Sequence, residues 1–212
     1  MKNVIFDFDG TLADSAMGII VTEWELLKEL GLPHRTEAQI RAAIGLPLGE
    51  ALHVGGNIPE DILDYASDRY RELFMEIAPR HIVLFPEVKE TLSFLAGRGI
   101  PMAIATSRSR DSLELLLKSL GIDGFFELCI TAKDVEHHKP EPEPVLKILE
   151  KLSWKAEETL VVGDTTFDIL MGKRAGCPTV GVTYGNHSRE TLLTAEPTHL
   201  ADTFGEIPVF LR

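Results

Sequence analysis

Val4-Ile5-Phe6-Asp7-Phe8-Asp9-Gly10-Thr11 begins apolar and ends on two carboxylates two residues apart. Its apolar part reads as a strand over Val4–Phe8, buried on both faces as strands of parallel sheets are. Alternation along such a strand places Asp7 and Asp9 on one side and Phe6 and Phe8 on the other. Two carboxylates at the end of a buried strand are costly unless a cation meets them. Asp7 and Asp9 are therefore the first candidate site residues.

Further short β-branched runs follow at Met102–Thr106, Leu128–Thr131, Thr159–Val162 and Thr179–Val182. Between them lie helical patterns at Glu87–Ala96, Asp111–Leu120, Pro144–Leu152 and Asp168–Ala175, the first two followed by Gly99 and Gly121 as stop signals. Strands alternating with helices of this length predict a doubly wound, Rossmann-like α/β core with a parallel sheet. Residues 15–82 break the alternation. They carry helical patterns over Ala16–Leu30, from the capping-box spacing Thr36-Glu37-Ala38-Gln39, and from Pro59 to Ala78. An all-α insert of net charge −5 is expected there, with residues 1–14 and 83–212 forming the core.

In a doubly wound sheet, ligands bind beyond the carboxyl ends of the strands. The second strand ends on Thr106-Ser107, and Lys139 stands before the stiff turn Pro140-Glu141-Pro142. The fourth strand runs into Gly163-Asp164, with Asp168 in the first turn of the next helix. Asp7, Asp9, Asp164 and Asp168 would converge at one sheet edge against Lys139 as the only nearby cation. With a phosphate dianion added, like charges near 4 Å repel by about 4 kcal/mol per pair at an effective dielectric of 20. A divalent cation is needed, and all-oxygen ligands favour Mg²⁺ over zinc.

These residues resemble the four motifs of the haloacid dehalogenase-like hydrolase superfamily. Asp7-Phe8-Asp9-Gly10-Thr11-Leu12 is similar to the first, Thr106 to the second, Lys139-Pro140 to the third, and Gly163-Asp164 through Asp168 to the fourth. The insert resembles the helical cap of the phosphoglycolate phosphatase-like branch. The resemblance implies that Asp7 is the nucleophile, forming an aspartyl-phosphate, and that Asp9 is the general acid and base. It implies phosphate contacts from Gly10, Thr106, Ser107 and Lys139. It further implies Mg²⁺ on Asp7, the backbone carbonyl of Asp9, and Asp164, with Asp168 ligating through water or steadying Lys139. The expected activity is a Mg²⁺-dependent phosphatase for small phosphorylated metabolites, phosphoglycolate first. Arg41, Arg108 and Arg110 are candidates for a second anionic group of the substrate.

Other members of the superfamily fit less well. A dehalogenase lacks a carboxylate like Asp9, and a phosphonatase needs a Schiff-base lysine where the insert offers only Lys28. A β-phosphoglucomutase-like enzyme usually has Ser-Arg after a cap glycine, where this chain has Leu46-Pro47-Leu48 after Gly45, and an aliphatic residue in place of Thr11. An inorganic pyrophosphatase or nucleotidase stays open. The non-enzymatic rival is a receiver-like signalling module, whose acceptor Asp ends the third strand; here that strand leads into Thr131-Ala132-Lys133-Asp134.

Composition agrees with a metabolite enzyme. The 212 residues carry a net charge of −12 and no Lys/Arg run, which opposes binding to nucleic acid or anionic membranes. Cys129 and Cys177 are too few for a disulfide framework or a zinc site. No secretory or membrane-spanning run is visible, so the expected location is the cytoplasm, as a monomer or homodimer, and the sequon Asn186-His187-Ser188 carries no expected role.

Overall fold

The computed structural model describes residues 1–211. The chain opens with β1 (Asn3–Phe6), turns, and forms β2 (Ala13–Asp14). Four helices follow: α1 (Ala16–Glu29), α2 (Glu37–Arg41), α3 (Leu48–Val54) and α4 (Leu63–Ile77). β3 (Val83–Leu84) then pairs antiparallel with β2, so both chain crossings between sheet and helices pass through one short ribbon. The remainder alternates: α5 (Val88–Gly97), β4 (Met102–Ala105), α6 (Arg110–Leu120), β5 (Leu128–Ile130), α7 (Glu143–Leu152) and β6 (Thr159–Gly163). It closes with α8 (Thr166–Arg174), β7 (Thr179–Val182), α9 (Arg189–Leu193) and β8 (His199–Ala201).

Six strands make one parallel sheet in the order β5-β4-β1-β6-β7-β8. β1 is central, with Ile5 opposite Ala103 on one side and Val161 on the other. The chain builds outward from β1 to β5, then returns to build the other half from β6. That reversal opens a crevice at the carboxyl ends of β1, β4 and β6, where a ligand belongs. Alternate residues fill two cores. Val4, Phe6, Met102, Ile104, Leu160 and Val162 pack in one, while Ile5, Ala103, Ala105 and Val161 pack in the other. The first core continues without a break into the helices between β2 and β3, through Leu26, Leu52, Tyr70 and Phe74.

Several sequence expectations shift by a residue or two, and a few elements are additional. β1 stops at Phe6 because the Phe8 carbonyl accepts the N–H groups of Leu12 and Ala13 at 3.0 Å each, forming a turn. Asp9 thus owes its position to that turn rather than to strand alternation. α8 starts at Thr166, with Thr165 and Asp168 exchanging a reciprocal cap. The α3 helix, the β2–β3 ribbon and the sixth strand β8 had no counterpart in the sequence reading; each is short and lacks a periodic signal. No helix of the described residues is long and apolar enough to cross a membrane.

Candidate active site

The carboxyl ends of β1 and β6 hold three buried carboxylates around one buried ammonium. The Asp7 N–H donates to the Val162 carbonyl at 2.9 Å, continuing the ladder one residue past β1. Lys139 Nζ donates to Asp7 Oδ1 at 2.5 Å and to Asp168 Oδ1 at 2.6 Å. Asp168 Oδ2 in turn accepts from the Thr165 N–H at 3.0 Å and its hydroxyl at 2.6 Å. Asp164 Oδ1 accepts from the Thr11 hydroxyl at 3.1 Å, and its Oδ2 from the Asn186 N–H at 2.7 Å and Nδ2 at 2.9 Å. One oxygen each of Asp7, Asp164 and Asp168 lie within 4.8 Å of one another.

Burial pushes Asp7 well above the usual carboxylate range, with Lys139 opposing and Asp168 and Asp164 reinforcing the shift. Burial beside Asp168 likewise raises Asp164 to about 7, against the hydrogen bonds from Asn186 and Thr11. Lys139 shifts the other way. Burial alone would lower it, but Asp168 and Asp7 outweigh burial and hold it above its ordinary value. Fully ionised, three carboxylates and one ammonium leave two uncompensated negative charges in a dry site. A divalent cation removes that imbalance, and a donor set made only of oxygens suits Mg²⁺. The residues present therefore fit the expected metal.

Two glycines allow this crowding. Gly10 sits at φ +82°, and a Cβ there would collide with the Asp164 carboxylate and the Asn186 amide. A Cβ on Gly185 would strike Asp164 and the Gly10 carbonyl. The loop after β1 and the loop after β7 thus close directly on Asp164.

Asp9 stands apart from the three carboxylates. Its Oδ1 accepts the Ser15 hydroxyl at 2.5 Å, and Arg108 grips both oxygens through Nε at 3.0 Å and through Nη2. Arg108 also donates to Ser112 at 2.7 Å, and its guanidinium lies 4.6 Å from the Phe74 ring and 5.6 Å from Phe8. A side chain from the loop after β4 therefore reaches the carboxylate after β1 and stacks on α4.

Asp7, Asp9, Thr106, Ser107 and Arg108 open into a cavity of about 460 Å³ between the sheet edge and helices α1 to α4. Thr106 Oγ1 accepts the Arg108 N–H at 3.2 Å, and the Ser107 hydroxyl donates to the Gly45 carbonyl at 2.8 Å, tying the loop to the helices. Arg110 faces elsewhere, on Asp134 at 2.7 Å and the Cys129 carbonyl at 3.1 Å. Arg41 pairs with Glu37 at 2.7 Å and borders a separate cavity of about 140 Å³ beside Gly10 and Asn186. Of the three candidate arginines, only Arg108 lines the main cavity.

The structure adds Asn186, Thr11, Ser15 and Thr165 as the groups that hold the carboxylates, and Glu23 on the cavity wall. The signal that points to Asn186 is its place in the loop after β7, a strand end of the same parallel sheet.

Buried acids, a lysine bridge and a hydroxyl at adjoining strand ends define a class of α/β hydrolases. Residues 4–182 match the model of the haloacid dehalogenase-like hydrolase family. The chain belongs to that family. It is 39% identical over 208 residues to "Probable phosphatase IndB" of Dickeya dadantii, covering 96% of this chain and 90% of that one. It is 35% identical over 211 residues to the phosphoglycolate phosphatase of Yersinia pestis, covering 95% and 91%. Among solved structures, one described as a "predicted phosphoglycolate phosphatase" from Haemophilus somnus superposes with a TM-score of 0.94 at 26% identity, covering 100% of this chain and 98% of that one. A haloacid dehalogenase-like family hydrolase from Streptococcus pneumoniae gives 0.90 at 25% identity, covering 100% and 99%. Within the family the chain falls with the phosphatases of the phosphoglycolate phosphatase-like branch.

Proposed function

We propose that the chain is a Mg²⁺-dependent phosphatase that hydrolyses small phosphate monoesters through an aspartyl-phosphate on Asp7. The observation that carries this reading is the Lys139 bridge between Asp7 and Asp168, within reach of Asp164, with Asp7 itself lining the cavity that Thr106 also lines. Asp7, the Asp9 carbonyl and Asp164 would hold Mg²⁺, Asp168 holding a water ligand or Lys139. When bound there, Mg²⁺ would supply charge neutralisation for the phosphoryl oxygens.

An Asp7 carboxylate oxygen attacks phosphorus in line as the bond from phosphorus to the leaving oxygen breaks. Asp9 supplies that oxygen with its proton. Water then attacks the aspartyl-phosphate, Asp9 takes the water's proton, and the bond from phosphorus to Asp7 breaks to release phosphate. Thr106, Ser107, Lys139 and the backbone near Gly10 orient the transferring group, where positioning and charge carry most of the catalysis. Both Asp9 oxygens are engaged by Arg108 in this structure. Asp9 can give its proton only after Arg108 lets go, and an anionic group on the substrate is a competing partner for the guanidinium. Residues 15–82 act as the cap, closing the site from water through the β2–β3 ribbon.

Phosphate release from a panel of phosphate esters and pyrophosphate, with Mg²⁺ and with a chelator, tests the reading. Phosphoglycolate is the first ester to assay, and β-glucose 1-phosphate is scored for isomerisation. Mg²⁺-dependent release, with phosphate trapped on Asp7 by mass spectrometry, is the expected result. Isomerisation without release would make the chain a mutase. A stable phosphorylated Asp7 with no turnover would make it a signalling module.

A further inference from the structure

Glu23 on α1 breaks the rule that the rest of the molecule obeys. It is 3% exposed, and its Oε1 is the one buried side-chain polar atom among the described residues without a hydrogen-bond partner. Such an orphan costs stability, because the oxygen gave up its water partners on folding and gained none. The residue lines the same cavity as Asp7 and Asp9, among Ile19, Ile40, Ile44 and Leu52, with Tyr70 and Arg71 also on that helical wall. A Cβ on Gly56 would come within 2.9 Å of this oxygen, so the backbone opposite is kept bare. Burial pushes the carboxyl up to about 8, with Arg35 opposing.

Size points the same way. A cavity of about 460 Å³ lies within the ~300–1,000 Å³ range of sites for drug-sized ligands. A two-carbon ester such as phosphoglycolate leaves most of it empty, and its carboxylate would be repelled by an ionised Glu23. The apolar wall asks for a carbon body, and the lone carboxyl asks for a donor on that body.

We infer that Glu23 is a specificity-determining residue whose carboxyl receives a hydrogen-bond donor, hydroxyl or ammonium, carried on the leaving group several bonds from phosphorus. This rests on the phosphatase reading above and names the substrate class that reading leaves open. A hydroxyl satisfies the carboxyl in either protonation state. An ammonium brings the counter-charge that favours its ionised form. In both cases the substrate gives the cavity-lining carboxyl a hydrogen bond that no side chain of the protein supplies, and an ester lacking the donor leaves that bond unmade.

The test compares kcat/KM for linear alkyl phosphates of increasing length ending in methyl, hydroxyl or ammonium, with phosphoglycolate as reference. At the length that spans the cavity, the wild type is expected to favour a donor-tipped ester over its methyl counterpart by about tenfold or more. Glu23→Leu should bring that ratio within about twofold and raise Tm, because the orphan is gone. Glu23→Gln, closer in shape, should keep a hydroxyl preference and lose an ammonium preference. Equal kcat/KM for the three tips in the wild type, or a preference that survives in Glu23→Leu, would overturn the assignment while leaving the phosphatase intact. No release from any ester would overturn the phosphatase reading and this assignment with it.

Discussion

The two ends of the cavity are built on opposite terms. At the sheet edge, Lys139, Thr11, Thr165 and Asn186 leave Asp164 and Asp168 hydrogen-bonded at both oxygens. On the helical wall, the one carboxyl side chain that is deeply buried has an oxygen with no partner. A site that is over-determined at one end and under-determined at the other separates what it does from what it does it to. The reacting end is fixed before substrate arrives; the selecting end is completed by it.

The sharpest break in that contrast is Asp7→Asn. It keeps the shape and the Lys139 contact but removes the nucleophile, and phosphate release should fall by on the order of 10⁴-fold or more. Circular dichroism should show the fold retained, and near-wild-type turnover would remove Asp7 from its role. Next in size, Asp164→Ala should lower kcat by roughly 10²–10³-fold and move the Mg²⁺ titration to higher concentration. Chelation of the wild type should abolish release, and an unchanged titration in the variant would show that Asp164 is no ligand.

A smaller effect reads the other end. Glu23 has a folded value of about 8 against an ordinary 4.5, so the folded state keeps a proton that the unfolded chain has released. Its contribution to stability is full below pH ~4.5 and is lost as pH rises towards 8, by at most about 1.4 kcal/mol per pH unit. Tm of the wild type relative to Glu23→Gln should therefore fall by a few degrees per pH unit across that window. Parallel curves would show that Glu23 is already ionised in the folded state. The least effect belongs to Arg108→Gln, which spans both ends: kcat/KM should drop about tenfold, mostly through KM. A loss confined to kcat would place Arg108 with Asp9 rather than with the substrate.

The same contrast governs what the sequence revealed. The sheet edge was legible because its chemistry sits at strand ends, where an apolar run stopping on Asp7 or Asp164 marks a position in space as well as in sequence. The central strands and the helices beyond Phe85 follow from periodicity that burial on two faces enforces. The helical wall offered no such anchor. Glu23 is one of 11 acidic residues between Ser15 and Ile82, and nothing in Val21-Thr22-Glu23-Trp24 distinguishes a buried carboxylate from a solvated one. Arg108 and Arg110 are alike in sequence, yet only Arg108 turns inward. The difference lies in Phe8, Phe74 and Ser112, which come from three separate elements. Contacts of that kind are settled by packing.

Asn186 has a consequence for how the protein is handled. Its side-chain nitrogen, 2.9 Å from Asp164, is the atom that a glycosylating host would modify, because Asn186-His187-Ser188 is an acceptor sequence. Production through a eukaryotic secretory route would place a sugar where the Asp164 clamp must sit. The resulting protein could be pure and of the right mass plus glycan, yet poor at holding its metal. Preparations made in a compartment without that machinery, or compared with Ser188→Ala, which removes the acceptor sequence and keeps the Asn186 amide, would reveal whether a weak enzyme is a property of the sequence or of the host.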